Sequence, residues 1–189
     1  MAVTTKLERL REVALDQHGL VTTAQAGDGG VSHAELSMMV ARDRLERVAH
    51  GVYRVPQVVQ TEFAQYQLAV LWTGAPEACL SHDTALAAWD ISDINPDRIH
   101  ITVARHRRIR RAGGERYMIH HEDIGASGVT WWQGIRVVNV PTAIGQAIAS
   151  GVPTYLIHQA LDRAGRTSRL PVQDRERLAH ELEARDGGA

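Results

Sequence analysis

The feature that most restricts this chain is a pair of helix-start signatures separated by a glycine-rich turn. Thr22-Thr23-Ala24-Gln25 and Ser32-His33-Ala34-Glu35 each place a hydroxyl three residues before a Gln or Glu. In that spacing each side chain bonds the other's otherwise unpaired backbone amide, so both segments read as helix N-termini. Gly27-Asp28-Gly29-Gly30 supplies the turn between them. Ahead of the pair, Lys6–Gln17 carries Leu7, Leu10, Val13 and Ala14 on one face and Glu8, Arg9, Arg11 and Glu12 on the others, an amphipathic helix ended by His18-Gly19. Behind it, Leu36, Met39 and Val40 carry a third helix to about Arg44. Leu45–Val48 and Val52–Val55 then alternate on either side of Ala49-His50-Gly51 and read as a β-hairpin closed by Pro56.

Three helices followed by a hairpin is the order of a winged helix-turn-helix, here over residues of about 5–56, and its third helix normally enters the DNA major groove. With Leu36, Met39 and Val40 buried, Ala34, Ser37, Met38 and Arg42 point outward. Ser37 then offers a hydrogen bond to a base, Arg42 a guanine contact, and Ala34 or Met38 an apolar contact to a thymine methyl. His33, in the first turn, reaches the groove as well. Thr22, Thr23 and Ser32 stand at helix N-termini, where they either bind phosphate or serve only as structural caps. Arg47, His50 and Arg54 put donors on the wing, for DNA or for solvent. Residues 1–56 hold seven basic and seven acidic side chains, so this segment has no net charge of its own to attract DNA.

The remainder reads as a second domain, giving an α+β chain: a winged helix-turn-helix at 1–58, then a smaller-sheet α/β domain at 59–189. Thr61–Trp72 is helical, and Ser81 is placed to cap a helix over His82–Trp89. Arg98–Ala104 alternates Ile99, Ile101 and Val103 like a strand. Tyr117–His120 and Val129–Trp132 are further strands, and Gly134 turns the latter into Ile135–Val138. Helices follow at Pro141–Ser150, Tyr155–Ala164 and from Pro171 on. Between Arg98 and Arg116 lie seven arginines, Arg105, Arg107, Arg108, Arg110 and Arg111 among them, against the single acid Glu115. This is the local charge the first domain lacks. Five phosphates neutralised there would make log K fall with log salt at a slope of about -4.5. The same loop also suits an acidic protein, an RNA, or solvent.

Residue types exclude several chemistries. Lys6 is the only lysine among 21 basic residues, so a phosphate-loop lysine or a nuclease lysine later in the chain has no residue to supply it. Cys79 is the only cysteine, which rules out an internal disulfide or a multi-thiolate zinc site and favours a reducing, cytoplasmic setting. No run of about 18 apolar residues predicts a membrane span. His120-His121 and His82-Asp83 are adjacent pairs whose side chains diverge, so each supplies one metal ligand at most. Ser81-His82-Asp83 is a consecutive run, whereas a catalytic triad is assembled in space. Trp89, Trp131 and Trp132 suit core or interface better than nucleobase stacking. No catalytic residue, metal or cofactor is expected. A nuclease with a DNA-binding front end and a protein-binding adaptor are the competing readings.

Taken together, Gly19–Ala26, Val31-Ser32 and Leu45–Tyr53 resemble the N-terminal domain of AbiEi-type antitoxins of bacterial abortive-infection systems. The likeness continues in Leu80–Leu86, Ile99–Val103, Gly134–Val137 and Pro141-Thr142-Ala143. It implies a winged helix that binds double-stranded operator DNA and represses its own operon, and a C-terminal domain that opposes a nucleotidyltransferase-like toxin.

Overall fold

The computed structural model describes residues 5–188. Helix α1 (Lys6–Leu15) opens on a capping box between Thr5 and Glu8, strand β1 (Leu20–Thr22) follows, and the two anticipated boxes open α2 (Thr23–Asp28) and α3 (His33–Ala41). Thr22 Oγ1 accepts from the Gln25 amide while Gln25 Oε1 accepts from the Thr22 amide, and Ser32 and Glu35 repeat the exchange. Gly27 and Asp28 belong to the last turn of α2, so the connection shrinks to Gly29-Gly30, where Gly30 takes φ +75°. Helix α3 stops at Ala41, short of Arg44, because Asp43 turns left-handed at φ 54°.

Strands β2 (Glu46–Ala49) and β3 (Val52–Arg54) form the wing, with Gly51 at φ +70° in its turn. Strand β1 joins them in the order β1-β3-β2, pairing antiparallel with β3 from Leu20↔Arg54 to Thr22↔Val52. Leu10, Ala14, Val21, Ala26, Val31, Leu36, Leu45 and Val55 form a buried cluster where the three helices meet this small sheet. Helix α4 (Ala64–Thr73) packs on β1 and β3. The compact unit holding the winged helix therefore reaches past residue 58, to Ala78, and also contains Arg108–Gly114 and Gln133–Ile135.

The second unit is built on a five-stranded mixed sheet. Its strands are β4 (Cys79–Leu80), β5 (Ile99–Val103), β6 (Tyr117–His121), β7 (Val129–Trp132) and β8 (Ile135–Val138), in the order β6-β5-β4-β8-β7. The central strand β4 has only two residues, antiparallel to β5 and parallel to β8. The turn between β7 and β8 has positive φ at both Gln133 and Gly134, the backbone that lets a two-residue connection follow strand twist. Helices α5 (His82–Ala88), α6 (Val140–Ala149), α7 (Thr154–Arg166) and α8 (Val172–Gly187) complete the fold. Asn139 caps α6 by accepting from the Thr142 amide. Ser81 makes no such bond to α5, contrary to its expected role, because its hydroxyl lies 3.1 Å from Nδ1 of His82 instead.

Candidate nucleic-acid interface

Leu36 is buried and anchors α3, while His33, Ala34, Ser37, Met38, Ala41 and Arg42 are exposed. The residues anticipated to point outward are therefore exposed, together with Ala41 and, past the helix end, Asp43 and Arg44. Met38 keeps 49% of its surface open, a large apolar side chain on a face that no other described element covers. Ser37 Oγ donates to the His33 carbonyl at 3.0 Å. Its proton is thus committed, and what it offers a base is an acceptor, suited to the amino group of adenine or cytosine.

The hydroxyls at the helix starts are engaged within the fold. Thr22 Oγ1 accepts from the Gln25 amide and lies 3.0 Å from Gln25 Oε1, and Thr23 Oγ1 lies 3.4 Å from the Gly51 carbonyl. At α3 the Glu35 carboxylate bonds both the amide and the hydroxyl of Ser32. It also takes the ammonium of Lys6 at 2.6 Å, and these partners, Lys6 foremost, hold the Glu35 carboxyl down to about 2. A carboxylate therefore already bonds the Ser32 amide at this helix start. On the wing, Arg47 and His50 are exposed, whereas Arg54 forms an ion pair with Glu46 and reaches Gln60.

The arginine loop divides. Arg105 and Arg107 belong to the second unit, while Arg108, Arg110 and Arg111 fall in the unit of the winged helix. Arg105, Arg108 and Arg110 are exposed and Arg107 is half-buried. Arg111 Nη1 donates to the carbonyl of Trp72 at 2.8 Å and to that of His50, in the wing turn, at 3.1 Å. Trp72 returns a bond from Nε1 to the Ala112 carbonyl at 3.0 Å. Sequence reading gave no sign of this clamp, since its partners lie in three separate stretches of chain.

In the second unit, His82, His100 and His120 gather on one side of the sheet. The His82 and His120 rings stack at 3.5 Å and 13°, and His120 Nε2 lies 3.3 Å from His100 Nδ1. Near-parallel stacked rings cannot aim their nitrogens at one ion, and among the described residues no His, Cys, Asp and Glu group is arranged to hold a metal. Burial first, then the neighbouring imidazoles, push His82 down to about 3 and His120 to about 4. Adjacent pairing in sequence pointed at His120-His121, but register decides: His120 stands opposite Thr102, two residues beyond His100 on β5. Beside this cluster lies an open cleft of about 710 Å³, where Gln146 Nε2 donates to Glu122 at 2.7 Å and Gln146 Oε1 accepts from the His82 amide.

Three helices, a strand between the first two and a hairpin after the third define the first unit as a winged helix-turn-helix. Residues 8–56 match the family described as transcriptional regulator, AbiEi antitoxin. In fold, the chain is similar to the crystal structure of the RV2827C protein from Mycobacterium tuberculosis. The TM-score is 0.51 at 12% identity, covering 97% of this chain and 78% of that one. No curated protein sequence matches the chain. Among the described residues no helix is long and apolar enough to cross a membrane.

Proposed function

We propose that this chain is a DNA-binding antitoxin that represses its own toxin–antitoxin operon and counteracts a nucleotidyltransferase-like toxin. The observation that carries the reading is the uncovered face of α3, His33, Ala34, Ser37, Met38 and Arg42, on a segment matched to AbiEi regulators. Ser37 reads an amino group, Met38 and Ala34 touch thymine methyls, and Arg42 takes guanine or phosphate at the far end of the helix. Arg47 and His50 of the wing face the backbone. Thr22, Thr23 and Ser32 support the reading as helix caps that fix α2 and α3 relative to one another, with their amides turned to phosphate only where a cap leaves them free.

A fluorescence-anisotropy titration of the full chain on its promoter, beside random duplex of equal length, tests the repressor role. The expected result is specific binding at least 10³ tighter than binding to random DNA at the same salt. Equal affinities end the repressor reading. Co-expression with the nucleotidyltransferase-like reading frame of the same operon tests the antitoxin role, growth being restored by the chain. Growth arrest that persists despite a folded chain ends it.

A further inference from the structure

The carbonyl groups that Arg111 binds are not arbitrary. Trp72 is in the last turn of α4, where carbonyl groups lack helical partners and the helix dipole is negative, and His50 is in the turn of the wing. One guanidinium nitrogen thus ties the arginine loop to both. Two glycines make room for it. A Cβ on Gly74 would stand 2.0 Å from Arg111 Nη2, and a Cβ on Gly114 would stand 2.7 Å from the Trp72 ring. With the Trp72 bond to the Ala112 carbonyl, Arg111 and Gly114 are anchored within the winged-helix unit, while Ala112 and Gly113 between them are exposed.

We propose that this clamp makes the loop tip part of the DNA-binding face, with Arg111 as the positioning residue and Arg108 and Arg110 as the phosphate contacts. The inference rests on the DNA-binding reading above and adds to it. Arg110 adjoins the residue bonded to the wing turn, and both Arg108 and Arg110 are exposed. Arg47 and His50 are the exposed cationic or donor groups on the wing itself. The composite surface therefore supplies the positive charge that residues 1–56, with seven basic and seven acidic groups, do not have. Its partner is the phosphate backbone of a DNA duplex, since arginines held on a fixed support beside a wing follow regularly spaced anions. Arg111 lies outside the set of contacts, because its guanidinium is held by Nη1 on the Trp72 and His50 carbonyl groups.

Salt titrations of full-length protein on its promoter test this through the slope of log K against log salt. Replacing Arg108 and Arg110 together by Ala should reduce the slope by about 2 units. R111A, although it removes no contact in this scheme, should lower it by nearly as much, and adding R111A to the double variant should change it little further. G74A, whose Cβ would collide with the Arg111 guanidinium, should reproduce R111A, and R111K should restore part of the slope. Thermal melts confirm that each variant stays fully folded at the titration temperature across the salt range, so that the slope reports binding alone. A full slope in R111A and G74A overturns the positioning role. A further drop of about 1 unit on adding R111A to the double variant also overturns it, making Arg111 a phosphate contact. An unchanged slope in the double variant removes the loop from the interface while leaving the DNA-binding reading intact. Failure of the native chain to bind DNA removes that reading and this inference with it.

Discussion

Lys6 and Glu35 form an ion pair in which the ammonium lies 2.6 and 2.8 Å from the two carboxylate oxygens. The single lysine of the chain is thereby bound to the first turn of α3. The same carboxylate bonds the amide and hydroxyl of Ser32. Glu35 thus closes its own helix start and ties α1 to α3.

Replacing Glu35 by Ala should lower the melting temperature at pH 7 by a few degrees, through loss of the cap and of the α1 connection. The carboxyl is held near 2 in the folded chain and titrates near 4.5 in the unfolded one. Its contribution is complete above pH 4.5 and lost as the pH falls toward 2. The difference between native and E35A melts should shrink over that window. Differential scanning calorimetry at several pH values checks it, and a constant difference would assign the effect to helix propensity alone.

Arg42→Ala should weaken specific binding by about 10-fold or more and binding to random duplex by much less. The residue closes α3 and is exposed, so its removal leaves the core around Leu36 untouched. Parallel titrations on promoter and random DNA measure the ratio. Equal losses on both would make Arg42 a phosphate contact that carries no sequence information.

The histidine cluster gives the second unit an acid-sensitive core. His82 and His120 ionise near 3 and 4 when folded, against 6.5 for an exposed imidazole, and burial also lowers His100. Asp83 and Asp97 oppose that shift at His100, and His121 adds to it at His120. The unfolded chain therefore binds protons first, so stability is full above about pH 6.5 and declines as the pH falls toward 4. Melting temperature should drop over that range, and His120→Gln should flatten the decline. An identical pH profile in the variant would place the acid sensitivity elsewhere.

The local parts of this architecture were legible in the sequence because their causes are local. The boxes at Thr22 and Ser32, the alternation of Ile99, Ile101 and Val103, and the glycine turn at Gly134 each involve neighbours within a few residues. Strand β1 escaped notice because three residues show no period, and its partner β3 arrives only after two helices. Strand β4 escaped for the same reason, although it is the centre of the larger sheet. The exposed face of α3 followed from helical period. The engagement of Arg111 with Trp72 and His50 did not, since a charged run in sequence carries no record of which carbonyl groups will meet it. The triad of His82, His100 and His120 likewise depends on the register between β5 and β6 and on the entry to α5.

Cys79 supplies a direct probe of the central strand. Its side chain is buried on β4, opposite Thr102, and burial pushes the thiol up to about 11, so almost no thiolate exists at pH 8. Native protein should therefore react with a disulfide reagent such as dithionitrobenzoate orders of magnitude more slowly than a free thiol does. Reaction should accelerate to the free rate as denaturant opens the sheet, and its midpoint should follow far-ultraviolet circular dichroism. Because Cys79 sits between β5 and β8, exposure requires the middle of the sheet to separate. Rapid labelling in native buffer would show that β4 opens without global unfolding, and that the second unit holds its central strand less firmly than its burial implies.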